Sequence, residues 1–202
     1  KSRLVQALKE RVAGEPYTHL EAAFSPYHQN SALYPVIALL QRELQFTLEN
    51  SPEQKLQKLE QAFQLDSVPL LASLLSLPLP DRYPPLMLTP QKQKEETQLA
   101  LLTWLLQAAN RQTTLLVWED LHWADPSSLE LLGLLLDQVP TTRLLLVLTF
   151  RPDFIASWAS RSHLTSLTLN RLNRKQVETM IAQVAADKAL STEVIQQVVT
   201  KT

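Results

Sequence analysis

Between Ser2 and Ala13 the apolar residues Leu4, Val5, Leu8 and Val12 recur at the spacing of one helical face, and Gly14 with Pro16 supplies a stop beyond them. The period then changes. Thr18, Leu20, Ala22 and Phe24 alternate with His19, Glu21 and Ala23, which predicts a strand closed by Ser25-Pro26. A helix followed by a strand opens a parallel α/β sheet. Helical spacing returns from Ser31 to Glu49, with Leu33, Val36, Ile37, Leu40 and Leu44 on one side and Pro35 confined to the first turn. A second helix is expected from about Pro52 to Leu65. The leucine- and proline-rich stretch from Val68 to Pro90 predicts a short apolar helix near Leu70 to Leu77 and then an extended connector. From Thr89 to Asn110 a longer helix turns Leu99, Leu102, Leu105 and Leu106 inward.

The apolar run Leu115-Leu116-Val117-Trp118 ends abruptly at two adjacent carboxylates, Glu119 and Asp120. Leu121-His122-Trp123-Ala124 follows, and then a helix from Pro126 to about Gln138, with Asp125 as its N-cap and Pro126 at its first position. Leu144 to Phe150 is too uniformly apolar for an exposed antiparallel sheet and predicts a buried strand. Leu164 to Leu169 suggests another short strand, and Asn173 to Ala185 and Thr192 to Val199 read as helices of a separate subdomain. There is no internal repeat and no low-complexity tract.

At 202 residues the chain is one large domain or a domain and a half, long enough to bury roughly 70% of its unfolded surface. A net charge of -1 with 19% charged residues offers no basic footprint for nucleic acid. The absence of cysteine excludes disulfides, thiolate metal sites and thiol catalysis, and fits a reducing compartment. No apolar run reaches the ~20 residues that span a bilayer, and the start lacks the plan of a signal peptide. A cytoplasmic protein is expected. The chain starts without methionine, inside what reads as a motif, so a fragment of a longer protein is expected.

Phosphoryl transfer to water needs a cradle for phosphates, a divalent metal held by oxygen, and a group that orients the attacking water. Lys1 and Ser2, at the positive end of the first helix, read as the last two positions of a G-x-x-x-x-G-K-[ST] loop, the lysine for phosphate and the hydroxyl for magnesium. Taken alone, a Lys-Ser pair is a frayed charged terminus. Glu119 and Asp120 fall at the carboxyl edge of the sheet, where α/β folds bind ligands. Glu119 is expected to face the metal and Asp120 the water, though neighbouring strand residues point opposite ways and the two roles exchange easily; the plain alternative is a polar strand end. Arg151, just after the next strand, is placed to sense a terminal phosphate, or is a surface arginine in a turn. His19, His28, His122 and His163 have no metal-ligand spacing, and His122 is expected to pack or hydrogen-bond near the strand end rather than to catalyse. Trp118 and Trp123 read as core or wall residues, and no nucleophile elbow surrounds Ser127 and Ser128.

The strings LVWEDLHWADPSSLELL and LLLVLTFRPDF resemble the AAA-type, origin-recognition-like domain of the signal-transduction ATPases with numerous domains. SPYHQNSALYPVIALLQR and LPLPDRYPPLMLTPQ are similar to the subset found in bacterial class III adenylate or guanylate cyclases and related regulators. The resemblance implies a three-layer α/β/α P-loop fold with a mostly parallel sheet, truncated at its N-terminal strand and phosphate loop. It implies an ATPase core over residues 1–170, with a helical, proline-rich insertion at about 50–90 and a helical lid beginning at 171–202. It also implies ATP and Mg2+ as ligands, with Lys1 and Ser2 for phosphate and metal, Glu119 and Asp120 for metal and water, and Arg151 as sensor. A cyclase or other output domain and tetratricopeptide-like repeats are the implied neighbours in the parent chain, with no direct contact to nucleic acid or membrane. The phosphate-loop glycines are absent, and no later arginine is assignable as a second sensor. Two other readings stand beside ATP hydrolysis: an interaction scaffold with a degenerate site, and a replication-initiator relative, for which nothing here is basic enough.

Overall fold

The computed structural model describes residues 1–156, 158, 161–170 and 172–185. The chain divides into two compact units, Lys1–His163 and Leu164–Thr202.

In the first unit three parallel strands, β1 (Thr18–Ala23), β2 (Thr114–Glu119) and β3 (Leu144–Leu148), lie in the order β1-β2-β3. Thr18 faces Thr114 and Thr114 faces Leu144, so the register carries Leu20, Leu116 and Leu146 on one face and His19, Leu115 and Leu145 on the other. Helix α1 (Ser2–Val12) covers the second face, where Val5 packs with Leu115 and Val117 and half-buried Leu8, Val12 and Val147 close round them. Leu4, expected on this apolar face, is exposed; one position before Val5, it is rotated away from the sheet.

The connections β1 to β2 and β2 to β3 advance across the sheet in the same direction. Right-handed crossovers therefore put their helices on one common face, opposite α1. They are α2 (Tyr34–Glu43), α3 (Pro52–Ala62), α4 (Val68–Leu74) and α5 (Pro90–Arg111) in the first connection and α6 (Pro126–Gln138) in the second. This face holds the larger core, with Leu20, Ala22, Phe24, Leu116 and Trp118 buried. Central β2 is buried along its length up to Glu119, which is why it reads as an unbroken apolar run.

Where the elements depart from expectation, the reasons are local. α2 ends at Glu43, not Glu49, because Gln45 takes a left-handed conformation at φ 54° and the N–H groups of Gln45 and Phe46 turn back onto the carbonyls of Arg42 and Gln41. Ser76 does the same after α4, with Leu77 N–H donating to the Ala72 carbonyl. In α5 it is Leu101, with Leu102 and Leu105, that is buried, and Leu99 is exposed. The helix turns the Thr97, Leu101, Leu105 row inward, with Gln98 beside it donating to the Ser127 carbonyl and Glu130 of α6. β3 stops at Leu148 and is only half-buried, since its far edge has no strand beside it among the described residues. The aromatic trio Phe150, Phe154 and Trp158, with ring centroids 5.4 to 6.4 Å apart, packs the segment after it.

In the second unit, residues 164–170 are not a strand, contrary to the alternating pattern; among the described residues no strand offers them a ladder. α7 (Arg174–Ala185) begins where Asn173 and Gln176 exchange backbone-to-side-chain hydrogen bonds of 2.9 Å, a capping box. The helix expected at Thr192 to Val199 lies outside the described residues. No described helix is long and apolar enough to cross a membrane.

Candidate functional site

β2 and β3 end side by side at the carboxyl edge of the sheet, and Thr149 ties them together. Its N–H donates to the Trp118 carbonyl (3.0 Å), its Oγ1 accepts from the Asp120 N–H (3.0 Å), and its carbonyl accepts from the Leu121 N–H (2.9 Å). These bonds hold Asp120 in the left-handed region, at φ 60° and ψ 43°. A non-glycine residue there costs ~1–3 kcal/mol and persists only where its surroundings impose it, and such residues gather at working sites. The chain then makes a short 3-10 turn, Leu121–Trp123, so β2 breaks off and presents Asp120, whose side chain is 52% exposed.

The imidazole of His122, two residues on, is buried beside it. Nδ1 lies 3.9 Å from Asp120 Oδ1, and the ring packs on Trp123 at 4.9 Å. Arg151 lies over that same tryptophan, its guanidinium carbon 5.4 Å from the ring centre, a cation–π contact. Lys1 Nζ donates to the Phe150 carbonyl at the end of β3, so the start of α1 meets this edge. Burial holds the His122 pKa below its ordinary value, and Arg151 and then Lys1 add to the lowering against the opposing pull of Asp120. Lys1, Asp120, His122 and Arg151 thus form one electrostatic cluster.

Glu119 points elsewhere. As the last strand residue it shares the α1 face with Glu21, and the two carboxyls meet there; one Glu119 oxygen, Oε1, is buried without a partner. Lys9 of α1 binds Glu21 at 2.6 Å, and although burial alone would raise the Glu21 pKa, the lysine brings it below its usual range. Ser2 is exposed at the first position of α1.

Asp125 is a cap and something more. Its Oδ1 accepts from the Ser128 N–H (3.0 Å) and its Oδ2 from the Ser128 hydroxyl (2.6 Å), which starts α6. The same Oδ1 accepts from the Leu33 N–H (3.2 Å), and Leu33, at φ 59°, ends the loop after β1. Sequence reasoning missed Thr149; it placed His122 near the strand end, where the structure sets it beside Asp120. The signal for the threonine was there, a lone hydroxyl in the apolar run just before Arg151.

The residues suit magnesium in kind. Mg2+ takes oxygen donors and is held through one or two carboxylates plus substrate phosphates, and Glu119 offers an unpartnered buried oxygen at a strand end. No group of three or more His, Cys, Asp or Glu able to hold a metal occurs among the described residues, so the oxygens of a phosphate would have to complete the shell.

A stretch of 92 residues, 46% of the chain, is 32% identical to an uncharacterized protein of Rhizobium meliloti (strain 1021). That stretch is 9% of the relative's own length. No solved structure matches the chain. The family model described as AAA ATPase domain matches residues 1–148, which takes in all three strands and the clustered Lys1, Asp120 and His122, and the chain belongs to that family.

Proposed function

We propose that the carboxyl edge of the sheet binds Mg-ATP and hydrolyses it, as the regulatory module of a multidomain bacterial signalling protein. The reading is carried by one observation: a lysine, a carboxylate held in a strained backbone position and an arginine converge where β2 and β3 end. Lys1 and Arg151 neutralise charge on the β- and γ-phosphates, at the positive end of α1. Asp120 orients the attacking water. Ser2 and Glu119 would hold a magnesium ion, whose charge would screen the phosphates and so favour attack. In the reaction the water oxygen bonds to the terminal phosphorus while the bond to the bridging oxygen breaks. The electron pair leaves on ADP, and the water's proton ends on the released phosphate.

Residues 171–202 are proposed to begin a helical lid subdomain, and a cyclase or other output domain and tetratricopeptide-like repeats are the elements that read the state of the ATPase. The cytoplasm is its setting. Mg-ATP at 100 times its dissociation constant should stabilise the full-length chain by about 2.7 kcal/mol. Asp120→Asn should keep that shift and lower turnover by roughly 10²-fold or more. Arg151→Ala should weaken ATP binding by roughly 10-fold or more, the loss of a charged hydrogen bond of ~1.5–3 kcal/mol. A melting temperature indifferent to Mg-ATP would instead leave a non-hydrolysing scaffold.

A further inference from the structure

Among the described residues His122 alone leaves two buried polar atoms without a partner, Nδ1 and Nε2. Its side chain is 9% exposed, at the end of the strand that presents Asp120. We propose that His122 is a further catalytic residue of the nucleotide site, holding on Nε2 the water that attacks the terminal phosphate while Asp120, facing Nδ1, orients that water through the ring. The inference rests on the reading of this edge as an ATP site.

The geometry leads there in three steps. A buried donor or acceptor left unmade costs ~1–3 kcal/mol, so two on one ring call for an explanation. The ring is not loose, because it packs against Trp123, which is itself covered by Arg151. Finally, Nδ1 is 3.9 Å from Asp120 Oδ1, beyond a hydrogen bond and within the reach of a small closing movement.

The chemistry of the partners then selects the ligand. A neutral imidazole has one N–H donor and one lone-pair acceptor. The Asp120 carboxylate only accepts, so the nitrogen facing it, Nδ1, carries the hydrogen. That leaves Nε2 as an acceptor. Phosphate oxygens are acceptors too, and Lys1 and Arg151 disfavour a second proton on the ring. The partner of Nε2 must therefore bring an O–H, and water is the reactant that does. As the water's oxygen bonds to phosphorus and ADP departs with the bridging electron pair, its proton is transferred to the released phosphate. His122 holds the water for attack and keeps no proton at the end.

The test uses the full-length chain with His122→Phe and His122→Gln, following melting temperature, Mg-ATP binding and turnover. His122→Phe fills the same space and removes both orphaned nitrogens. It should melt at or above the wild-type temperature, bind Mg-ATP within about twofold of wild type, and turn over roughly 10²-fold more slowly, the usual scale for a positioned acid–base group. His122→Gln, whose Oε1 accepts from water, should recover part of that loss. Unchanged turnover in His122→Phe would sink the proposal and make the histidine a packing residue. Turnover lost only in step with stability or with ATP binding would sink it equally. Wild-type protein that binds Mg-ATP and does not hydrolyse it overturns the role of His122 while sparing the nucleotide site. Absence of Mg-ATP binding in wild type brings down both.

Discussion

Two buried polar residues set the shape of the edge, and both can be tested singly. Asp125 is 3% exposed and satisfies two backbone N–H groups and one hydroxyl. Removing a buried charged acceptor strips a helix cap and orphans the Leu33 N–H, so Asp125→Ala should cost ~2–4 kcal/mol by urea denaturation. It should also expose the 25–33 loop to proteolysis. Asp125→Asn, which keeps an acceptor oxygen, should cost less than half as much. The cap was legible, because Asp-Pro-Ser-Ser before an apolar run is a helix start. Its grip on Leu33 was not, since the partners are 92 positions apart and nothing local marks the contact. Thr149 is the second case. Thr149→Val keeps the shape and removes the acceptor for the Asp120 N–H, so a loss of ~1–2 kcal/mol is expected from the orphaned donor. If Thr149 holds the Asp120 backbone for its task, turnover falls as well; unchanged turnover would show that the strained conformation is kept by other contacts.

At the scale of elements, apolar spacing identified α1, β1, β2 and α6 closely, because each buries one clean face or a whole strand. It failed where backbone chemistry ended a helix without its usual residue. Gln45 and Ser76 sit at left-handed positions that favour glycine; the prolines after Leu77 marked the second stop, while nothing in a sequence with only Gly14 and Gly133 marked the first. The same fact yields a prediction. Gln45→Gly and Ser76→Gly should each stabilise the chain by ~0.5–1 kcal/mol, the relief of a left-handed side chain less the entropy of a freer unfolded backbone. Chemical denaturation of each single variant checks this. A destabilised Gln45→Gly would mean that the exposed side chain has contacts that outweigh the strain. β3 failed differently: its composition is that of a strand buried on both faces, while Leu145 is 52% exposed. Composition reports what a strand can bury, and neighbours decide how much it does.

For the molecule as a whole, a net charge of -1 hides opposing titrations that show as a pH dependence of stability. His19 lies on the α1 face of β1 with Nε2 buried, without a hydrogen bond and 3.5 Å from Glu21 Oε2. Burial, then Lys9, lower its pKa; Arg42 does the same, against Glu21 and Glu43. A histidine whose folded pKa lies below the unfolded value of about 6.5 is bound by fewer protons in the native state, so stability falls as pH drops below that value. Glu21 and Glu130 have folded pKa values below the usual carboxylate range, through Lys9 against the raising effect of burial in one and through Lys94 in the other. Their stabilisation is complete above that range and is lost on further acidification. Urea midpoints should therefore decline in two stages from pH 8, the first beginning near the ordinary histidine value and the second in the carboxylate range. His19→Phe should shrink the first stage, to which His122 also contributes, and leave the second in place. A first stage of undiminished size in that variant would assign it to other groups, because the charges that face His19 from α1 and α2 remain after the imidazole is gone.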